Sequence, residues 1–483
     1  MRLRIILHYL GLVIAILGLS MLIPMVTCLI YSEGDASALA FSAIISLAVG
    51  FLLWRFNRLA EKKLTIRESF ILVVSGWLVA AIFGALPYAI SGALPNFLDC
   101  FFEAMSGYTT TGATVFTSIE TQSHGILLWR SLSQWLGGMG IIMLFVALFP
   151  VFGIGAAHLV DAEMPGQKGE RLTARIRDTA KALWAIYLGL TATEIILLLL
   201  AGLPFFDSLT VTFGTMPTGG FAPTDLSIAS YNSPLVEGIV LFFMIAAGVN
   251  FGLYYFLLWK RRPGRLFGNP EFKLYIALII SAILLINIDL IVNMGMSFGD
   301  AMRYGSFQSA SIMTTTGFAT ADFSTWPPFA RSLLLVLMVI GASAGSTGGA
   351  LKVVRILVLV KYTYRRLRRA FNPALVIPIK IGENVLPDRV TSRIIGMTIL
   401  YFGVLWGGFL IMSALGLDIE TALSSVTASV GNVGPGLGAV GPMANYAFIP
   451  PVGKGVLMFL MLAGRLELFT LLALMVPAFW KGR

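Results

Sequence analysis

The chain has 483 residues, of which 57% are apolar and only 12% are charged. Soluble domains carry about 25% charged residues, so this chain is not a soluble enzyme or a disordered protein. Two cysteines exclude a disulfide scaffold, and three scattered histidines leave no cluster for zinc or triad chemistry. We assign the net charge of +10 to basic loops beside a membrane rather than to nucleic-acid binding. The sequence therefore predicts an all-α integral membrane protein.

Apolar segments long enough to cross a bilayer recur along the whole chain. A hydrocarbon core of about 30 Å needs about 20 apolar residues per helix. Ten segments meet this requirement: 5–31, 38–56, 68–92, 125–152, 179–203, 234–260, 272–296, 329–361, 391–416 and 453–480. The first has too long an apolar run for a signal peptide and no small-residue cleavage site. We therefore expect ten transmembrane helices.

The charges between these segments alternate in sign. Lysines and arginines cluster at 55–67, 168–181, 260–273 and 361–380 and at the C-terminus, whereas the intervening connections are mainly acidic. Positive loops stay in the cytoplasm, so we expect both termini to be cytoplasmic. Each basic run could be only a solvated face, but five runs on the same side favour the oriented arrangement.

A motif recurs four times after the first two segments, about once every hundred residues. Thr-Thr-Thr-Gly occurs at 109–112 and at 314–317, each time with phenylalanine ten positions and serine six positions before the glycine. Thr-Gly-Gly-Phe at 218–221 and Gly-Asn-Val-Gly-Pro-Gly at 431–436 take the corresponding places. A long fixed period indicates a repeated structural unit. We interpret it as a helix, a short half-helix, a glycine turn and a second helix.

Four such turns predict an aqueous path through the membrane. A half-helix of about ten residues is too short to span a bilayer, so it should be re-entrant, with its non-helical backbone covered by protein or water. Carbonyl oxygens from four loops can replace the hydration shell of a cation, and glycine allows the backbone angles that this needs. The turns carry no charged side chain, so their field strength suits a large monovalent cation, potassium before sodium, although composition alone does not select between the two. The alternative is four ordinary extracellular turns, which the matching positions disfavour.

These motifs, with Gly-Ala-Ser-Ala-Gly-Ser-Thr-Gly-Gly-Ala-Leu-Lys at 341–352, resemble those of the Trk/Ktr/HKT superfamily of potassium transporters over essentially the whole chain. The additional N-terminal helix pair is similar to the TrkH-type branch. The resemblance implies channel-like potassium uptake across the bacterial inner membrane, a homodimer, and a cytoplasmic nucleotide-binding regulatory subunit of TrkA type. Potassium is then the substrate, and no covalently bound cofactor is implied. The single glycine of each motif, in place of the Gly-Tyr-Gly of tetrameric channels, implies looser selection against sodium.

Carried onto this sequence, the resemblance divides the chain into five parts and assigns a filter. The parts are the N-terminal helix pair (1–60) and four pore repeats around a central pore (61–152, 153–265, 266–370 with an interrupted inner helix, and 371–483). The potassium-binding filter residues are predicted to be Thr110, Thr111, Gly112, Thr218, Gly219, Gly220, Thr315, Thr316, Gly317, Asn432, Val433 and Gly434.

Small residues interrupt the segment 329–361. Glycine costs about 1 kcal/mol in a helix interior, so the run 341–349 should break the helix. The resemblance favours a gating loop below the filter, with Arg465, in the middle of the last segment, as an electrostatic brake. The predicted gating residues are Gly345, Ser346, Thr347, Gly348, Gly349, Lys352 and Arg465. The alternatives are close packing of small residues and a structural bond from Arg465 to backbone carbonyls.

Two acidic residues within predicted spans keep a second mechanism open. Glu194 or Asp289 could couple transport to an ion gradient, so the alternative function is a proton- or sodium-coupled potassium symporter. No metalloprotease, phosphate-binding or Gly-x-Gly-Asp motif is present, and we predict that the protein is not an enzyme. The polar stretches 153–178 and 361–390 are the predicted docking surface for the regulatory subunit. Anchoring of their arginines to lipid headgroups is the alternative.

Overall fold

The computed structural model describes residues 2–57, 65–152, 169–382 and 384–480. Parts of the basic runs 55–67 and 168–181, most of the stretch 153–178, and the basic residues Lys481 and Arg483 lie outside these ranges. The described residues are almost entirely helical. Their strands are β1 (Lys380–Ile381) and β2 (Asn384–Val385), which form a short antiparallel hairpin. The all-α class is therefore confirmed.

An N-terminal helix pair precedes the repeats. Its first arm is α1 (Leu3–Ser20) continued by α2 (Leu22–Ile30), and its second arm is α3 (Ala36–Phe56). The two arms pack backbone to backbone, because a Cβ added to Gly11 or to Gly50 would overlap main-chain atoms of the opposite arm. Such small residues allow close approach of helices inside a membrane.

The rest of the chain repeats the order of helix, half-helix, turn and helix four times. The first repeat contains α4 (Ile66–Gly84), α5 (Leu86–Ser91), α6 (Phe97–Tyr108) and α7 (His124–Phe152). The second contains α8 (Gly169–Leu200), α9 (Phe205–Thr215), a 3-10 turn (Ser227–Tyr231), α10 (Pro234–Ala247) and α11 (Phe251–Leu258). The third contains α12 (Gly264–Phe267), α13 (Pro270–Met294), α14 (Phe298–Asp300), a π-helical turn (Ala301–Gly305), α15 (Ser306–Met313), a 3-10 turn (Phe323–Thr325), α16 (Pro328–Ile340) and α17 (Val353–Phe371). The fourth contains α18 (Asp388–Ala414), α19 (Ile419–Gly431), a 3-10 turn (Gly438–Val440), α20 (Pro451–Arg465), α21 (Phe469–Met475) and α22 (Pro477–Trp480).

The half-helices are α6, α9, α15 and α19, and each is too short to cross a bilayer. They have 12, 11, 8 and 13 residues. Side-chain caps fix two of the four starts: Asn96 accepts from the N–H of Asp99, and Asp418 from that of Thr421. In the third repeat Ser297 accepts from the N–H of Asp300 and caps α14, which leads into α15 through the π-helical turn. These caps satisfy amides that a helix start leaves without intrahelical partners. The predicted re-entrant half-helices are thus present in the fold.

Several long apolar segments are broken in the structure. Among the described residues, six helices are long and apolar enough to span a membrane, or eight if each of two bent pairs is one span. The bent pairs are α10 with α11, at 96°, and α20 with α21, at 118°. The sequence predicted both as continuous segments (234–260 and 453–480), so these two breaks are seen only in the structure. The number of ten spans stays a prediction.

Shared hydrophobic clusters order the repeats in a closed circle. Each neighbouring pair contributes side chains to one cluster: Phe102 with Leu457 for repeats one and four, Leu128 with Phe206 for one and two, Val211 with Phe307 for two and three, and Leu334 with Val433 for three and four. The circle brings the ends of the four half-helices together at its centre.

Candidate ion path and its inner loop

The turn after each half-helix has the same backbone conformation in all four repeats. We call these turns, 110–112, 218–220, 315–317 and 432–434, the four-turn ring. The first residue of each turn is left-handed, with φ of 50° at Thr110, 55° at Thr218, 61° at Thr315 and 53° at Asn432. The closing glycine also has positive φ: 82° at Gly112, 78° at Gly220, 83° at Gly317 and 99° at Gly434. Glycine occupies this region without the steric cost that other residues bear.

One hydrogen bond also recurs in every turn. The amide before the closing glycine donates to the carbonyl five residues earlier, at the end of the half-helix. The pairs are Thr111 to Ser106 and Gly219 to Gly214 at 2.9 Å, and Thr316 to Ser311 and Val433 to Ala428 at 2.8 Å. Equivalent bonds close many helix C-termini. The repeat seen in the sequence is therefore also a repeat of backbone geometry.

Each ring glycine faces a carbonyl oxygen of the next repeat. A Cβ added to Gly112 would overlap the oxygen of Gly219, one on Gly220 that of Thr316, one on Gly317 that of Val433, and one on Gly434 that of Thr111. The contacts run from repeat one through two, three and four and return to one. The four turns therefore meet around one axis, with carbonyl oxygens at their points of contact.

Buried polar side chains hold the ring from behind. The Gln134 amide donates to the carbonyl of Gly219 at 2.7 Å, and its oxygen accepts from the amide of Phe221 at 3.0 Å. Asn432 donates to the Thr111 hydroxyl at 3.0 Å and to the Met461 carbonyl at 2.9 Å. These bonds hold the first, second and fourth turns in place and leave little freedom for their backbone.

A buried ion pair supports the first two turns. Arg130 Nε donates to Glu103 Oε1 at 2.9 Å, and both side chains are almost fully buried. Glu103 also accepts from the Thr114 hydroxyl and the Val115 amide, and Arg130 donates to the Ala222 carbonyl. Breaking such a pair leaves an uncompensated buried charge. The pair is one of the functional features that the sequence analysis missed, since no local spacing links positions 103 and 130.

A cavity and a loop flank the ring. A cavity of about 230 Å³ is lined by the closing glycines Gly112, Gly220 and Gly317 and by Pro435, which follows the fourth closing glycine. On the other side lies the 341–352 loop, between α16 and α17, where the sequence predicted a break. The loop begins and ends in left-handed backbone, at Gly341 and Lys352.

The 341–352 loop contacts the ring directly. The Gly349 amide donates to the Thr315 hydroxyl at 2.7 Å, and the Thr347 hydroxyl donates to the Met216 carbonyl at 3.1 Å. A Cβ on Gly349 would overlap the carbonyl oxygen of Gly431. The loop therefore lies against the second, third and fourth repeats at once.

Arg465 joins the loop to the first repeat. Its guanidinium donates to the Thr347 carbonyl at 2.7 Å and to the Gly137 carbonyl at 3.3 Å, and the residue is 2% exposed. Lys352, also buried, donates to the Gly348 carbonyl. The structure thus places two cations on the loop, although Arg465 ends α20 instead of lying in the middle of a continuous helix.

The break between α10 and α11 forms a cradle for the loop. The Ser343 amide donates to the Gly248 carbonyl at 3.1 Å, and the Phe251 amide donates to the Gly345 carbonyl at 3.0 Å. The Glu271 carboxylate, at the start of α13, accepts from the Ala344 amide at 2.7 Å. The sequence analysis did not identify Glu271, because its partner lies 73 residues away.

The two acidic residues considered for ion coupling have different surroundings. Asp289 accepts from the Ala330 amide at 3.0 Å and from the Asn293 side chain at 2.7 Å, so it caps the start of α16. Glu194 is fully buried, and neither of its carboxylate oxygens has a hydrogen-bond partner among the described residues. Asp289 has a structural role that explains its position, and Glu194 does not.

Comparison with known proteins agrees with this architecture. Residues 36–481 match the TrkH family, described as cation transport proteins. This chain belongs to the TrkH family. The TrkH-family relatives named Trk system potassium uptake protein TrkH from Salmonella typhimurium and Halomonas elongata are 40% and 38% identical to it, over the full length of both proteins in each case. The crystal structure of the potassium transporter TrkH from Vibrio parahaemolyticus superposes with a TM-score of 0.92 at 36% identity, over all of both chains.

Membership of the TrkH family confirms the predicted superfamily and the all-α membrane fold with its half-helices. The chain is a multi-pass membrane protein of a transport family. Among the described residues, no group of histidine, cysteine and carboxylate side chains could hold a metal ion. The side chains of the four-turn ring itself are all uncharged.

Proposed function

We propose that this TrkH-family protein takes up potassium through a channel-like pore whose selectivity filter is the four-turn ring. The observation that supports this most strongly is the closed circle of contacts, in which every ring glycine faces a carbonyl oxygen of the next repeat. The relatives named above are potassium uptake proteins. The ion would bind to the carbonyls of the twelve filter residues predicted from the sequence, with threonine hydroxyls beside them.

The electrostatics of the ring suit a monovalent cation. The C-terminal end of a helix carries partial negative charge, and all four half-helices end at the ring. Carbonyl dipoles can replace part of the hydration shell of potassium. Because the ring has no carboxylate, it offers a weaker field than an acidic ring would, which disfavours smaller and more strongly hydrated ions.

We further propose that the 341–352 loop closes the pore and that Gly345 to Gly349, Lys352 and Arg465 are its gating residues. The loop lies against the second, third and fourth repeats, and Arg465 connects it with the first. The positive charges of Lys352 and Arg465 would repel a cation that reached the loop. Opening would require the loop to leave its cradle at Gly248 and Phe251.

The remaining assignments are proposals from the family. We propose that the protein lies in the bacterial inner membrane with both termini cytoplasmic, that it forms a homodimer, and that a TrkA-type nucleotide-binding subunit moves the loop. The amphipathic helix α17 follows the loop directly and carries Arg365, Arg366, Arg368 and Arg369. A pull on α17 by a docked subunit would therefore be transmitted to the loop.

Current recordings from the purified protein in planar bilayers test the proposed function. With the regulatory subunit present and unequal potassium concentrations on the two sides, we expect discrete openings and a reversal potential close to the potassium equilibrium value. Exchange of potassium for sodium should reduce the current. Flux that stops when a proton or sodium gradient is collapsed, with no passive current, would instead establish the symporter.

A further inference from the structure

Glu194 is a buried acid without a structural role in the described part of the protein. It lies in the membrane-spanning part of α8, is 0% exposed, and neither of its carboxylate oxygens has a hydrogen-bond partner there. The other buried acids differ, since Glu103 and Asp99 pair with Arg130 and Lys454, and Glu271 accepts an amide. An ionised carboxylate without a partner is strongly disfavoured in such surroundings, so burial favours the protonated form of Glu194.

The surroundings of Glu194 favour this neutral form. Helices α7, α9, α10 and α11 pack against α8. From them the Thr215 hydroxyl faces the carboxyl group, without hydrogen-bond geometry, and no charged group of the described residues does so. Within the described part of the chain, the titratable neighbour with an electrostatic effect is Tyr187, on α8 itself, and its hydroxyl donates to the Trp135 carbonyl. The hydrogen of Thr215 is donated to the Val211 carbonyl at 2.9 Å, so its oxygen can accept from a protonated acid.

Thr215 connects Glu194 with the ion path. It is the last residue of the half-helix α9, and the Met216 carbonyl that follows accepts from the loop residue Thr347. The turn 218–220 begins three residues after Thr215. A negative charge on Glu194 would therefore lie directly behind the second turn of the ring, beside a helix end that is already negative. A cation in the ring would favour that charge, and an empty ring would favour the proton.

We propose that Glu194 is a proton-binding site behind the second turn, where release of the proton is linked to occupation of the ring by a monovalent cation. The identity of the cation depends on the proposed filter, whereas the presence of the proton does not. Because linkage is reciprocal, a cation in the ring should release the proton, and a higher pH should strengthen cation binding. Potassium affinity then depends on pH through one residue.

Infrared spectroscopy of the full-length protein in lipid nanodiscs tests the proton site. The carbonyl stretch of a protonated carboxylic acid should be present at neutral pH and disappear in E194Q. D289N is the matched control: Asp289 accepts two hydrogen bonds as a carboxylate, so its replacement should leave the band in place. Identical spectra for the wild type and E194Q between pH 5 and pH 9 would overturn the proposal.

Potassium titrations of the same samples test the linkage. Replacing choline with potassium should move the loss of the band to lower pH, and the apparent potassium affinity should rise about fivefold or more between pH 5 and pH 9. In E194Q the affinity should not depend on pH. A band that potassium leaves unchanged, together with normal potassium binding, would overturn the linkage alone, whereas absence of potassium binding with the band intact would count against the filter.

A second variant covers the case in which E194Q does not assemble. T215V removes the hydroxyl that faces the acid and keeps the size of the side chain. It should shift the frequency of the band, because a methyl group replaces the hydroxyl that faces the carboxylic acid. An unchanged frequency in T215V would place the protonated acid elsewhere and contradict the assignment to Glu194.

Discussion

The ring glycines are restricted in two independent ways. Gly317 has a φ of 83°, which side chains disfavour, and a Cβ at this position would overlap the Val433 carbonyl oxygen of the next repeat. The same two restrictions apply to Gly112, Gly220 and Gly434. Because the overlapping atom belongs to the backbone, it cannot move aside as a flexible side chain could. Even alanine would therefore displace the carbonyl that the proposed filter needs.

We predict that Gly317→Ala reduces potassium uptake at least tenfold while the protein still reaches the membrane. A strained backbone position costs about 1–3 kcal/mol, and about 1.4 kcal/mol corresponds to a factor of ten in binding. Growth rescue of a potassium-uptake-deficient strain and rubidium uptake measure the effect. Gly403→Ala is the matched control, because its Cβ meets no atom within 4 Å. Normal uptake by Gly317→Ala would remove this position from the filter.

Glu33 connects the N-terminal helix pair with the first repeat and makes stability depend on pH. Burial by itself raises the pKa of Glu33, but hydrogen bonds from the His124 amide and ring and from the Gly125 amide outweigh it and hold the pKa below its ordinary value. A carboxyl group with a lowered pKa stabilises the fold above its ordinary pKa, and this contribution is lost as pH falls through the lowered pKa.

We therefore predict that Glu33→Gln lowers the melting temperature in detergent at pH 7. The difference should begin to shrink below the ordinary carboxyl pKa of about 4.3 and vanish once the pH has fallen through the lowered pKa of Glu33. Glu420→Gln, which breaks a more exposed pair with Arg331, should have a smaller effect, since exposed pairs contribute little. A difference between Glu33→Gln and the wild type that does not change with pH would show that ionisation of Glu33 is not responsible.

At the scale of elements, the 341–352 loop is held by breaks in its neighbours. The gap between α10 and α11 frees backbone groups at Gly248 and Phe251, which bond to the loop. The sequence predicted the break within 329–361 because glycines and hydroxyl residues are concentrated there. It did not predict the break at Gly248, since that break depends on tertiary hydrogen bonds from a loop that lies about a hundred residues further along the chain.

We predict that Glu271→Leu increases rubidium flux in the absence of the regulatory subunit about tenfold. The substitution leaves the Ala344 amide without its acceptor, and a buried unsatisfied group costs about 1–3 kcal/mol, which should favour release of the loop. Glu271→Gln keeps an acceptor and should have a smaller effect. Asp388→Asn, which weakens the pair between Arg365 and the 81% exposed side chain of Asp388, should leave the flux unchanged. Unaltered flux in Glu271→Leu would show that this contact does not hold the loop.

For the whole molecule, the architecture could be predicted from the sequence, but most individual contacts could not. The alternating loop charges and the four aligned motifs were sufficient to predict the repeat order and the half-helices. The Arg130–Glu103 pair and the Gln134 bridge could not be predicted, because they join residues that only the closed circle of repeats brings together. The circle itself follows from the period, since four equivalent half-helices can all bury their ends only by meeting at one place.

If the four turns form one cation site, a heavier monovalent cation should bind there as well. Crystals grown with rubidium in place of potassium, with diffraction data collected at the rubidium absorption edge, test it most directly. We expect an anomalous peak on the axis between Gly112, Gly220, Gly317 and Gly434. Ordered rubidium bound elsewhere in the membrane-embedded region, with no peak between the four glycines, would contradict it.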